Sequence, residues 1–278
     1  MSDVTLRYTG SDILELSDSG SATLKTGGKY CEDDVTVEYV KPSGGGDPYE
    51  KLVAVNNNTA TSISNSDIAT VRDYMFYGNS NLVSVSLPNA TEINGGAFYN
   101  CTRLSDVSFP NCISAKDNAF FGCKALKKIS DENFPKFTDI GKRTFRNTGI
   151  EYVVKPKSIM GFGGVCFESC ASLKAVDVLS WFYQYGNQNL LFQYCSSFDT
   201  FIIRGTTVNA LGNVSYINRG TPFADGGTGG TLYVPQALIS DYQNATNWST
   251  ILGYSNNQIL PIEGSYYETH YADGTVIS

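Results

Sequence analysis

FYGNSNLVSVSLPNATEINGGA, residues 76–97, and FYNCTRLSDVSFPNCISAKDNA, residues 98–119, are two copies of one unit. Each opens on Phe, carries Leu82 or Leu104, then Val85 or Val107, then Leu87 or Phe109, and breaks at Pro88 or Pro110. The same opening returns at Phe120 (FFGCKALKKI), Phe145, Phe167, Phe192 and, more loosely, Phe223, at spacings of 22, 22, 25, 22, 25 and 31 residues. A period of roughly 20–29 residues marks a solenoid, because one such unit cannot bury its own apolar face and must stack on its neighbours.

The last step of two in each unit, Val85 to Leu87 or Val107 to Phe109, is a strand period with both side chains on one face. Ile93 or Ile113 turns inward before the next Phe, across stretches (NGGA, KDNA) too short and too rich in Gly and Asn for a helix. Each turn then adds one short strand at about 4.8 Å, and the raw ends of the stack require caps. At the C-terminal end TLYVPQALISDYQNATNWSTILG, residues 231–253, reads as a strand followed by an amphipathic helix through Ala237, Leu238, Tyr242 and Ala245, with Trp248 and Ile251 beyond. The tail after it reads as a strand, a turn and a mobile end.

Residues 1–41 read as a separate β-module in which ILEL and VTVEYV alternate like strands. KPSGGGDP, residues 41–48, follows as a flexible link. The expected organisation is a module over 1–41, a Gly-rich linker over 42–48, the capped solenoid over 49–253, and a terminal strand and tail over 254–278. The fold class is a mainly β solenoid, a stack of short parallel strands with a C-terminal helical cap.

Composition narrows the function. Of 278 residues, 41% are apolar and 17% charged, which suits a packed chain rather than a disordered one. A net charge of −7 argues against nucleic acid and anionic membrane as partners, since both demand clustered Lys and Arg. No run approaches the roughly 20 apolar residues of a membrane helix. MSDVTLRYTGSDILELSDSG lacks a basic stretch followed by an apolar one, so it does not read as a secretory leader. That favours a chain kept inside, exported by another route or released within a particle.

Seven cysteines cannot all pair within one chain. Cys101, Cys123, Cys170 and Cys195 each lie three residues after their Phe, which makes them column positions of the stack and buried packing groups rather than ligands. Neither CxxC clustering nor accompanying His is present, so no metal site and no cofactor is expected. The single histidine, His270, sits in the tail without an orienting partner, and adjacent acids such as Asp131 and Glu132 read as solvated turns. The chain is expected not to be an enzyme.

What remains is the outward strand face. With Leu82, Val85 and Leu87 pointing in, Ser84 and Ser86 point out, and the register continues through Asp106, Ser108, Lys128, Tyr152, Val154 and Asp177. Trp181, Tyr183 and Tyr185 crowd an irregular stretch nearby, either as exposed aromatics suited to protein or sugar contact or as core filler where a repeat widens. These eleven residues are the candidate binding set. Departures from the repeat gather between Phe134 and Leu191; Lys155 stands where Leu87 and Phe109 would sit, and three extra residues precede Pro135.

The pattern F-x-x-C-x-x-L-x-x-V-x-L/F-P, over roughly 69–225, resembles the BspA-type leucine-rich repeat, and LYVPQALISDYQNATNW resembles that family's terminator. The resemblance implies a right-handed leucine-rich-repeat stack. It also implies a role among bacterial surface adhesins, microbes of host-associated habitats or phage structural proteins. The N-terminal module is similar to short β-modules of phage tail proteins. The leading expectation is a non-enzymatic virion protein of a phage tail or surface. Its N-terminal module would join other virion proteins, its repeat face would bind a host-surface protein or glycan, and a homo-oligomer is compatible with it. The alternatives are a secreted or surface-anchored bacterial adhesin and, less in keeping with the residues, a carbohydrate-active enzyme.

Overall fold

The computed structural model describes the backbone of five strands within residues 4–55, followed by residues 61–155 (67 excepted), 161–179, 191–208, 221–223, 228–245, 248 and 257–277. Strands β1 (Val4–Gly10), β4 (Val35–Lys41) and β5 (Tyr49–Val55) form an antiparallel sheet in the order β1-β4-β5. Strands β2 (Ile13–Leu16) and β3 (Ala22–Lys25) form an antiparallel pair. ILEL and VTVEYV are strands as the alternation predicts. YEKLVAV, which lies past the glycines at the start of the expected array, pairs with β4 from Val35↔Val55 to Val40↔Tyr49.

The array is built from two kinds of strand. Strands β6 (Ser62–Ser64), β8 (Ser84–Ser86) and β10 (Asp106–Ser108) form one parallel ladder. Strands β12 (Lys128–Ser130), β14 (Tyr152–Lys155), β16 (Ala175–Val178), β17 (Thr200–Ile203), β18 (Thr231–Val234) and β19 (Gln258–Pro261) form a second, six-stranded one. The two-residue strands β7 (Thr70–Val71), β9 (Glu92–Ile93), β11 (Ser114–Ala115), β13 (Asp139–Ile140) and β15 (Gly161–Phe162) make another parallel sheet on a different side of each turn. Together they give a parallel-strand solenoid of about six turns.

Its core is a set of stacked columns. Phe76, Phe98, Phe120, Phe145, Phe167 and Phe192 are all buried. Successive rings lie 5.1, 5.1, 5.4, 5.6 and 5.8 Å apart and within 16° of parallel. Phe223 leaves this column and packs on Phe198 instead, 5.3 Å away at a tilt of 39°.

The backbone around each Phe explains the Gly and Asn of the unit. Two residues before it the chain is left-handed at Tyr74, Gly96, Asn118, Arg143 and Val165. Two residues after it the same holds at Gly78, Asn100, Gly122, Asn147, Ser169 and Tyr194. Gly and Asn adopt that conformation most readily. Each turn is tied to the next through the Phe amide, as from Phe98 to the Ala119 carbonyl at 2.7 Å.

Between β10 and β12 the ladder is interrupted at the three extra residues. The Asn133 amide takes over: its oxygen accepts from the Ser130 N–H at 2.8 Å and its nitrogen donates to the Lys128 carbonyl at 3.2 Å. The Phe109 N–H donates to the Asn133 carbonyl at 2.9 Å. Phe134 stacks 5.4 Å from Phe109 and so fills the inner column that Asp131 would otherwise occupy.

Lys155 enters the same column as a fully buried ammonium. It is held by Asp131 at 2.6 Å and by a hydrogen bond to the Phe134 carbonyl. Burial lowers its pKa, against the opposing pull of Asp131. The insertion and the misplaced lysine are thus one structural event.

The C-terminal cap is helical, as the sequence pattern predicts. A 3-10 turn (Gln236–Leu238) runs into α1 (Ile239–Asn244), whose Tyr242 is buried with Trp248 against the core. Strand β19 then continues the ladder beyond the helix. The stretch expected to be a mobile tail carries structure of its own. A 3-10 turn (Tyr266–Glu268) and a bridge between His270 and Val276 order it. Among the described residues no helix is long and apolar enough to cross a membrane.

Candidate binding surface

The outward columns follow the predicted register. Ser84 is opposite Asp106 and Ser86 opposite Ser108; Lys128 is opposite Tyr152, then Ala175 and Thr200; Val154 is opposite Asp177, then Ile202. Exposure divides these columns in two. Asp106 is exposed, Ser84, Ser86 and Ser108 are partly exposed, and Ser84 donates to Ser62 at 2.8 Å. Further along, Val154 is 5% exposed, and Asp177 and Ile202 are wholly buried. The expectation that Val154 and Asp177 offer themselves to a partner is therefore corrected. Trp181, Tyr183 and Tyr185 lie outside the described residues.

The covering element at Asp177 is the chain's own end, a strap running from Tyr266 to Ile277. Asp177 is held side-on by Arg204, with Nε at 2.7 Å from Oδ1 and NH2 at 2.8 Å from Oδ2, and the Ala272 N–H donates to Oδ2 at 3.0 Å. Arg204 also donates to the carbonyls of Tyr267 and His270, at 2.9 and 3.0 Å, and lies over the Tyr271 ring. Tyr267 packs edge-on against Tyr233 of β18 at 4.7 Å. Asp273 reaches back to Lys128 at 3.0 Å.

The strap thus spans the outer face from β18 to β12. Burial pushes the Asp177 carboxyl above its ordinary value, with Arg204 opposing. At Asp273 burial is outweighed by Thr275 and Lys128, and the net direction is down.

The cysteines of the repeat columns are packing groups. The Sγ atoms of Cys101, Cys123, Cys170 and Cys195 donate to the carbonyls of Phe76, Phe98, Phe145 and Phe167, at 2.9–3.1 Å. Burial pushes the Cys101 thiol up to about 12 and raises Cys195 as well, the opposite of what a nucleophile or thiolate ligand needs. Among the described residues no group of three or more His, Cys, Asp or Glu is placed to hold a metal ion.

On the turn side a second aromatic column runs outside the buried one. Tyr77 stacks on Tyr99 at 5.1 Å and Tyr99 on Phe121 at 4.5 Å, with planes 17° and 4° apart. Tyr74 meets Tyr77 edge-on at 5.9 Å, and the Arg146 guanidinium lies 5.7 Å over Phe121. Tyr74 and Tyr77 are 39% and 41% exposed.

Six copies of the BspA type leucine rich repeat region match the sequence, over residues 54–174 and 129–218, more than half of the chain. The chain belongs to the BspA-type leucine-rich repeat family. It is similar in shape to a leucine rich cell surface protein from Faecalibacterium prausnitzii A2-165, at 17% identity over 84% of this chain and 72% of that one, with a TM-score of 0.38. It is also similar to a leucine-rich repeat protein from Bacteroides ovatus ATCC 8483, at 12% identity over 91% of this chain and 99% of that one, with a TM-score of 0.25. Neither TM-score reaches 0.5, and the fold rests on the repeat match and the strand registers. No curated protein matches the chain.

In this BspA-type array two features escape the repeat-based reading. The strap does so because Asp177 and Ala272 are 95 residues apart and share no local pattern. The outer aromatic column is visible as FY, FY and FF in the first three copies, immediately after the column-forming Phe. The signal is there, but the adjoining Gly and Asn draw attention to the turn instead.

Proposed function

We propose that the chain is a binding protein of a bacterial cell surface, an adhesin of the BspA type that works by contact rather than by catalysis. The observation that carries this reading is the repeat match itself, six copies that commit more than half of the chain to a regular array. Such an array offers extended surface instead of a pocket. The open part of that surface is the outer face of β6, β8 and β10 together with the turn side. The face at Asp177 is closed by the strap. The virion reading rests on the N-terminal resemblance and the order of module, linker and array, and the repeat match does not favour it over the surface reading.

Antibody against the chain should label intact, unpermeabilised cells of the producing bacterium. Label that appears only after permeabilisation, or that sits on purified virions instead of cells, would overturn the surface reading.

A further inference from the structure

We infer that the turn side of the first three described repeats is a docking surface for an acidic, aromatic-containing polypeptide segment of a partner protein. This deepens the reading of the chain as a surface-binding protein and rests on it. The fold does not demand an aromatic residue directly after the buried Phe, because later copies place Arg146, Glu168 and Gln193 there. Yet the first three place Tyr77, Tyr99 and Phe121, and Tyr74 joins them with its ring laid on Gly96, where a Cβ would come within 2.5 Å of Cε1. A contiguous aromatic strip left in water is the usual mark of a protein contact.

The orientation of the rings selects the kind of partner. Sugars stack on free ring faces, but here the faces between successive rings are taken up by one another, and Arg146 lies over Phe121 at the end of the strip. The strip therefore presents ring edges and two phenol groups. Edges carry the positive side of the ring quadrupole and favour carboxylates, carbonyls and the faces of other rings.

Charge points the same way. Lys142, Arg143 and Arg146 share the Phe145 turn, tied to the strip by the Asn118 N–H donating to the Lys142 carbonyl and the Gly122 N–H donating to the Arg146 carbonyl. Lys124 is bonded to Asn147 of that turn. Against these four cations stand Glu168, paired with Arg146 at 3.0 Å, and Asp117, whose carboxylate accepts from the Lys142 backbone at 2.8 Å. A cationic spot at the end of an aromatic strip, on a chain of net charge −7, fits a negative partner with apolar side chains of its own.

The test is binding of the full chain to immobilised poly(Glu,Tyr), with heparin as the competing anion. Saturable binding that weakens with salt is expected. Tyr77→Ser and, separately, Arg143→Asn should each weaken it at least about tenfold with no fall in melting temperature. Tyr77 is exposed and Asn tolerates the left-handed backbone at 143. Asp241→Asn, exposed on the cap helix, should leave binding unchanged.

No binding to the copolymer overturns the inference, as does equal binding by both variants. Heparin binding that survives Tyr77→Ser in place of copolymer binding also overturns it and assigns an anionic glycan. In a parallel assay on cells or tissue to which the wild type adheres, full adhesion by both variants sinks the docking site and leaves the surface reading standing. A wild type that adheres to no surface sinks both.

Discussion

At the residue scale the array is governed by two backbone positions that flank every buried Phe. Where they carry Gly or Asn the left-handed conformation is nearly free; at Val165, with φ of 53°, a β-branched side chain is forced into it. Val165→Asn should therefore stabilise the protein by about 1 kcal/mol, read as a rise in melting temperature of roughly 2–4 °C. Lys155 is the other residue out of pattern. Its pKa in the folded chain lies below the ordinary lysine value, so the folded state releases this proton first as pH rises. Stability should climb between that lowered value and about pH 10.5. Lys155→Met should lack the climb, and denaturant unfolding of both forms at pH 8 and pH 10.5 measures the difference; parallel pH profiles would contradict it. The sequence shows Lys155 and Asp131 to be the charged members of a column that is otherwise apolar. It does not show that Phe134 takes the inward place of Asp131 and leaves the carboxylate to pair with the lysine.

At the element scale the strands were legible and the strap was not. A step of two between inward residues, repeated at a fixed period, predicts both the strands and their register, and Ser84 does pair with Asp106 and Lys128 with Tyr152. The strap depends on Arg204, one column position past β17, meeting Asp177 on one side and backbone carbonyls 63 and 66 residues away on the other. No periodicity encodes such a contact. Arg204→Ala leaves the buried Asp177 carboxylate without its counter-charge and should cost about 3–5 kcal/mol, with early proteolytic loss of the last dozen or so residues. Replacing both Arg204 and Asp177 by Leu removes the stranded charge along with its partner and should recover most of that loss in stability. Urea unfolding of the single and double variants provides the check.

At the scale of the whole molecule the repeat makes one stack with unequal sides. The inner Phe column needs no sequence beyond the period to be recognised, whereas the division of the outer face into an open and a covered part depends on long-range contacts. Two aromatic columns run side by side, one buried at Phe76, Phe98 and Phe120 and one outside at Tyr77, Tyr99 and Phe121, where Tyr77 is exposed and the other two partly so. Hydroxyl-radical footprinting of the free chain reads that difference most directly. Tyr74 and Tyr77 should oxidise readily while Phe76, Phe98, Phe120, Trp248 and the residues under the strap stay protected. Comparable oxidation of Tyr77 and its neighbour Phe76, or rapid oxidation of Ile202, would contradict the stacked array and its closed face.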